Sequence, residues 1–142
     1  MKKTINFVLS LLLIAVMCLS LNACGSKSGE KGLWENAIYI EDTEFGSGDK
    51  TVFVEVKAED KSVTFKINTD KENLGEALVE HKLIAGEKGP YGLYVKVVNG
   101  ITADYDVNQS YWAFTKNGES MQSGVDGVEI SGGEHYELVC IK

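Results

Sequence analysis

Val52, Val54 and Val56 alternate with Phe53, Glu55 and Lys57, and a few residues later Val63, Phe65 and Ile67 alternate with Thr64, Lys66 and Asn68. The polar turn Glu59-Asp60-Lys61-Ser62 joins the two runs. Period two places every apolar side chain of such a run on one face, so the pair predicts a hairpin that is greasy on one side and wet on the other. The greasy side needs a cover, and the next segment supplies one. From Asp70 to Ile84 the period changes: Leu74, Ala77 and Leu78, with His81, fall at helical spacing. Asp70 stands where an N-cap would. Gly86 and Gly89-Pro90 are expected to stop this helix.

Around this unit the chain is read as follows. Gly25 to Gly32 is a polar, flexible stretch, and Leu33 and Trp34 begin the packed region. Ala37 to Ile40 is a short β-prone segment, and Thr43 to Lys50, with Gly46, Ser47 and Gly48, is a loop. Beyond the helix, Leu93, Val95 and Val97 point one way and Tyr94 and Lys96 the other, up to a turn at Asn99-Gly100. Tyr111 to Lys116 runs into a second such pair, Asn117-Gly118; Asn-Gly readily supplies the positive φ angles of a tight hairpin. Tyr136 to Ile141 is apolar on both faces apart from Glu137, which predicts a central strand. Hairpin, helix, then three strands predict an α+β fold: a β-grasp-like mixed sheet with one helix packed on one face.

The first residues obey a different logic. Lys2 and Lys3 precede an apolar run from about Phe7, and Leu21-Asn22-Ala23-Cys24 closes it. That order is similar to a bacterial lipoprotein signal, in which the cysteine sulfur receives a diacylglycerol and the chain is cut before it. The competing reading is a transmembrane helix. Phe7 to Leu19 is broken by Ser10 and falls short of the roughly 20 apolar residues a span needs. The expected organisation is a cleaved signal peptide over 1–23, lipidated Cys24 with a tether to residue 34, and one domain over 35–142. Two or three acyl chains hold a protein on a bilayer durably. The expected location is the extracytoplasmic face of the cell membrane, with the membrane as a partner through the Cys24 lipid.

Charge and composition narrow the partners. The formal net charge is −7, and becomes −9 once Lys2 and Lys3 leave. All 14 basic residues are lysine. Without arginine there is no bidentate fork for phosphate or carboxylate, which argues against nucleic acid and against an anionic ligand. Of three cysteines, Cys18 leaves with the leader and Cys24 takes the lipid. Cys140 remains alone and reads as a small buried hydrophobe, so no disulfide is expected in the mature domain.

At Tyr91-Gly92-x-Tyr94-Val95, Val98-Asn99-Gly100 and Trp112-x-Phe114-x-x-Asn117-Gly118-Glu119, following Leu74-Gly75-Glu76-Ala77-Leu78, a pattern emerges. It resembles a bacterial family of unknown function similar to the C-terminal β-domain of transcobalamin and intrinsic factor, over roughly Val52 to Lys142. The resemblance implies a surface binding module, with a corrinoid as its most specific ligand and a vitamin uptake system as a partner. The chain departs from the eukaryotic pattern by lacking the helical barrel. Ser131-Gly132-Gly133-Glu134 stands where the family usually has Asp-Gly-Asp.

No residue set reads as catalytic. His81 and His135 lie in no metal-spaced or triad-like array and read as solvated histidines, and no nucleophile elbow, phosphate loop or cysteine pair occurs. The chain is expected to be no enzyme and to hold no metal or cofactor. Asp104-Tyr105-Asp106-Val107-Asn108 alternates oxygen side chains but lacks the glycine and distal glutamate of a calcium loop. Aromatics crowd from Tyr91 to Phe114. Some must pack on the helix; the rest offer flat faces to a macrocycle or sugar. Tyr91, Tyr94 and Trp112, with Asn117 as a polar contact, are the candidate ligand-binding residues. The alternative function is docking onto a surface protein or an extended peptide through an open sheet edge.

Overall fold

The computed structural model describes residues 32–142. Cys24, the cleavage region and nearly all of the expected tether therefore lie outside the described residues. A 3-10 turn at Leu33–Asn36 is followed by strands β1 (Thr43–Gly46), β2 (Lys50–Ala58) and β3 (Lys61–Thr69) and helix α1 (Leu74–Glu80). Next come β4 (Ile84–Gly89), β5 (Gly92–Val98), β6 (Ile101–Thr102) and the one-turn helix α2 (Tyr105–Asn108). Strands β7 (Tyr111–Lys116) and β8 (Glu119–Ser120), a 3-10 turn at Val125–Gly127 and strand β9 (His135–Ile141) complete the chain. The fold is α+β, sheet-dominated, with one main helix.

The alternating hairpin forms as its pattern requires. β2 and β3 pair antiparallel from Lys50↔Thr69 to Ala58↔Lys61, so the turn between them is Glu59-Asp60 alone. Their inward residues Val52, Val54, Val56, Val63, Phe65 and Ile67 are buried and share one core with Leu74, Ala77 and Leu78 of α1. Each such side chain contributes on the order of 1.5–3 kcal/mol by leaving water. β9 lies between β2, to which it is parallel, and β7, to which it is antiparallel, giving the order β1-β3-β2-β9-β7-β8. The central position expected of the last strand is the observed one. Trp34 closes the bottom of this core, its indole N–H donating to Ala58 O at 2.7 Å.

Four local expectations are corrected. Thr43 to Lys50 is not all loop: β1 runs parallel to β3, and the Phe45 ring meets Tyr39 and Phe65 edge-on at 5.1 and 5.5 Å. Ala37 to Ile40 is not a strand. Its backbone is held instead by Asn99, whose amide accepts from Tyr39 N and donates to Tyr39 O. Asp70 does not cap the helix; Asn73 does, accepting from Glu76 N at 2.8 Å, while Asp70 accepts from Asp49 N. Gly86 and Gly89 do not end a helix that already stops at Glu80; they lie inside β4.

The largest difference is a second sheet. β4, β5 and β6 form a separate antiparallel sheet, where a single mixed sheet was expected. It shares the core through Ile84, Val98, Ile101 and Ala103.

Candidate functional site

The second sheet and α1 enclose an open groove of about 680 Å³. One wall is α1, with the buried Gly75 and the exposed Glu76 and Val79. The other is the β4–β5 sheet, with Ile84, Ala85, Gly86 and Lys88 on β4 and Leu93 on β5, and Asp126 also lines the groove. Asp126 ties these walls together. Both its carboxylate oxygens accept from Leu93 N at 3.0 Å, and its backbone sits against α1 where the helix carries Gly75. A Cβ on Gly75 would come within 2.8 Å of Asp126 Cα. Gly92, at φ +104°, leaves room for the same carboxylate, which a Cβ there would meet at 2.5 Å. Sequence reasoning missed Asp126. A glycine inside a helical repeat and another just after a turn were the available signals of a close approach.

The four predicted ligand residues divide. Tyr91 is 94% exposed at the β4–β5 turn, and Tyr94 is 46% exposed on β5 with Lys96 Nζ 5.8 Å from its ring centre. Asn117 sits in the β7–β8 turn at φ 52°. Trp112 is buried on the inward face of β7, its indole nitrogen without a hydrogen-bond partner among the described residues. The structure thus places Tyr91 and Tyr94 on one exposed hairpin and Trp112 in the core, while Asn117 belongs to the other sheet. Lys96 is itself held by Asp104 at 3.1 Å and Glu87 at 3.2 Å. Those two carboxylates, Asp104 above all, keep its ammonium protonated above the ordinary lysine range.

The outer face of the six-stranded sheet carries a second cluster. The register sets Glu55 beside Glu137 and puts His135 two pairs away, on the same face, opposite Phe53. One ligand-type atom from each of Glu55, His135 and Glu137 falls within 4.8 Å of the others. Sequence spacing hid this set, because it depends on β2 and β9 being neighbours. Lys57 Nζ already supplies positive charge there, 3.2 Å from Glu55 and 3.8 Å from Glu137. The Thr115 hydroxyl donates to Glu137, as does Gly118 N at 3.1 Å. The Thr115 bond chiefly, aided by Gly118 and Lys57, holds the Glu137 carboxyl below the usual carboxylate range.

Other motifs are spent on the fold. Asp104 caps α2 through Asp106 N, and Asn108 accepts from the backbone of Asp104 and Ser110. Apart from Asp104 Oδ2, which holds Lys96, these oxygens serve their own loop. In Ser131-Gly132-Gly133-Glu134 the carboxylate folds back on Ser131 N and Gly132 N, each at 2.8 Å. Partial burial opposes its ionisation, but those bonds outweigh burial and leave Glu134 below the usual range. Burial pushes the Cys140 thiol up, which makes it a poor nucleophile.

Comparisons with known proteins follow the same outline. The model of a domain of unknown function (DUF4430) matches residues 72–135, the stretch that holds α1, both groove walls and Asp126. A protein of Ruminococcus gnavus ATCC 29149, thought to bind metal, is 35% identical with a TM-score of 0.62, over 66% of this chain and 98% of its own. Haptocorrin in complex with Cbi matches at 18% identity and a TM-score of 0.50, over 69% of this chain. This chain spans 26% of haptocorrin, and the likeness is one of fold. No curated protein matches. The resemblance to the transcobalamin-type β-domain holds at that level.

Proposed function

The chain carries a DUF4430 domain and belongs to one family with the Ruminococcus gnavus protein, and on that premise we propose that it is a membrane-tethered, extracytoplasmic binding module without catalytic activity. Its task is to capture a small ligand and present it to an uptake system. The observation that carries this reading is the β4–β5 hairpin, which holds Tyr91 and Tyr94 in solvent where neither ring is needed for the core. Aromatic faces without a packing role suit a flat ligand. A corrinoid is the ligand class to test first, since haptocorrin, a protein of similar fold, is known in complex with Cbi. The order β3-β2-β9-β7, with α1 following the hairpin, supports a β-grasp reading of the domain. Trp112 is left to the core, and the ligand face is Tyr91 and Tyr94.

Calorimetry of residues 32–142 with cyanocobalamin and with a tail-less corrinoid tests the ligand. Micromolar heat that disappears in the Tyr91→Ala, Tyr94→Ala double variant supports the corrinoid reading; no heat at high micromolar concentration removes it. The tether is tested separately: Cys24→Ala should move the protein from the membrane to the soluble fraction.

The Ruminococcus gnavus relative favours a second reading, in which Glu55, His135 and Glu137 hold a divalent cation. Imidazole with carboxylates suits zinc or a similar borderline ion. A cation must displace the Lys57 ammonium, so Lys57→Met should tighten zinc binding and His135→Ala should weaken it. Zinc affinity indifferent to both changes would sink this reading.

A further inference from the structure

On the outer face of the six-stranded sheet, one carboxylate of the Glu55–His135–Glu137 set is gripped from behind. Thr115 stands opposite Glu137 in the β7–β9 register, so its hydroxyl reaches the carboxylate across the ladder. It donates to Oε2, and Gly118 N donates to the same oxygen at 3.1 Å. Gly118 reaches it because Asn117 and Gly118 turn the chain at positive φ, 52° and 81°. An ionised carboxylate oxygen offers about two lone-pair sites, and two donors fill them. The other oxygen, Oε1, is the one beside Lys57 Nζ at 3.8 Å. The same ammonium lies 3.2 Å from Glu55 Oε2, which is itself 3.4 Å from His135 Nε2. Lys57 thus marks a place where positive charge meets one oxygen from each carboxylate, with the imidazole close by.

We propose that Thr115, with the Gly118 N–H, sets the ion specificity of this site: by engaging Glu137 Oε2 they confine Glu137 to a single ligand oxygen and favour a zinc-like cation over calcium. The inference rests on the reading of Glu55, His135 and Glu137 as cation ligands, and adds to it two positioning groups and a selectivity. Zinc is held by about four ligands, accepts imidazole nitrogen and is satisfied by one oxygen from a carboxylate. Calcium takes roughly six to eight oxygens, draws both from a carboxylate where it can, and gains little from imidazole. With Oε2 already filled, Glu137 offers calcium too few oxygens and offers zinc what it takes. The same two hydrogen bonds fix the direction in which Oε1 points, which matters most to the ion with the stricter geometry.

The test is calorimetry of the full chain in nonionic detergent micelles, with zinc chloride and separately with calcium chloride. The parent is compared with Thr115→Val, Thr115→Ala and Thr115→Ser. Thr115 is half-buried on a strand, and valine keeps its shape and strand preference, so the fold should persist, checked by circular dichroism. The parent should bind zinc more tightly than calcium. Loss of the hydroxyl, in the valine and alanine variants alike, should weaken zinc binding about tenfold or more. Calcium binding should stay unchanged or tighten, so the ratio of the two affinities falls, and Thr115→Ser should restore it. A merely structural role would weaken both ions by one factor and leave the ratio unmoved. That result, zinc affinity indifferent to loss of the hydroxyl, or a parent that prefers calcium would each overturn the proposal. His135→Ala separates the two levels. Zinc binding that is lost there but unchanged in Thr115→Val removes the specificity role and keeps the cation reading. A parent that binds no zinc, or binds it equally without His135, removes both.

Discussion

The two sheets are both built on antiparallel hairpins, yet they use them differently. In the six-stranded sheet, β2 and β3 send Val52, Val54, Phe65 and Ile67 into the core with no exposed surface at all. In the three-stranded sheet, β4 buries Ile84 and exposes every residue after it, and glycine recurs at positions 86, 89 and 92. The first hairpin is made of β-branched residues whose alternate side chains all find partners. The second is shaped by close approaches: a bulge falls between Ala85 and Gly86, and Gly92 makes room for Asp126. Burial fixes the one and leaves much of the other exposed. On the corrinoid reading proposed above, stability and recognition fall to different sheets.

The sharpest way to break this division is Phe65→Ala. It removes a wholly buried ring from the large sheet and should cost about 3–5 kcal/mol, read as a fall in the denaturant midpoint for the entire domain. Gly92→Ala should cost less, about 1–3 kcal/mol, because it forces an L side chain into positive φ against Asp126. Its effect should concentrate in β4 and β5, so amide exchange there should accelerate more than in β2 and β9. Equal acceleration everywhere would merge the two regions into one unit. Asn73→Ala removes the cap of α1 and should cost about 1 kcal/mol in a thermal melt.

Glu137 gives a pH version of the same comparison. Its folded carboxyl titrates below the unfolded one, so its contribution is present above the ordinary carboxylate range and is lost as the pH falls through its folded value. Melting curves from neutral pH into acid should fall less steeply for Glu137→Gln than for the parent. The smallest effect is expected at Tyr136. Its hydroxyl is buried without a partner among the described residues, so Tyr136→Phe should be neutral or stabilising by up to about 1 kcal/mol.

The contrast also explains what could be read in the residues beforehand. The β2–β3 alternation, the buried Leu74, Ala77 and Leu78, and the bounds of Tyr111 to Lys116 were legible because burial writes a period into a strand or helix. Both Asn-Gly turns were legible because few other pairs accept positive φ twice, as Asn99-Gly100 and Asn117-Gly118 do at 51° and 78°, and 52° and 81°. β4 was not. Ile84-Ala85-Gly86-Glu87-Lys88-Gly89 has neither period, and its strand is imposed by pairing with β5. The burial of Trp112 was not legible, because an aromatic in a strand gives no sign of which face it takes until the neighbouring strand is known. The Glu55–His135–Glu137 set and the Asp126 tie both depend on contacts distant in sequence, and no local pattern encodes either.

Asp126 has a kinetic consequence. Because one carboxylate holds β5 while its own backbone abuts α1, the spacing between the groove walls is set before any partner arrives. A preformed cleft asks little reorganisation of the protein, so the entropy lost on association falls mainly on whatever occupies it. Binding there should then follow a single exponential phase, with a rate constant proportional to the concentration of the occupant. Asp126→Ala would loosen the walls, and a second phase, independent of concentration, should appear as the groove is re-formed around its occupant.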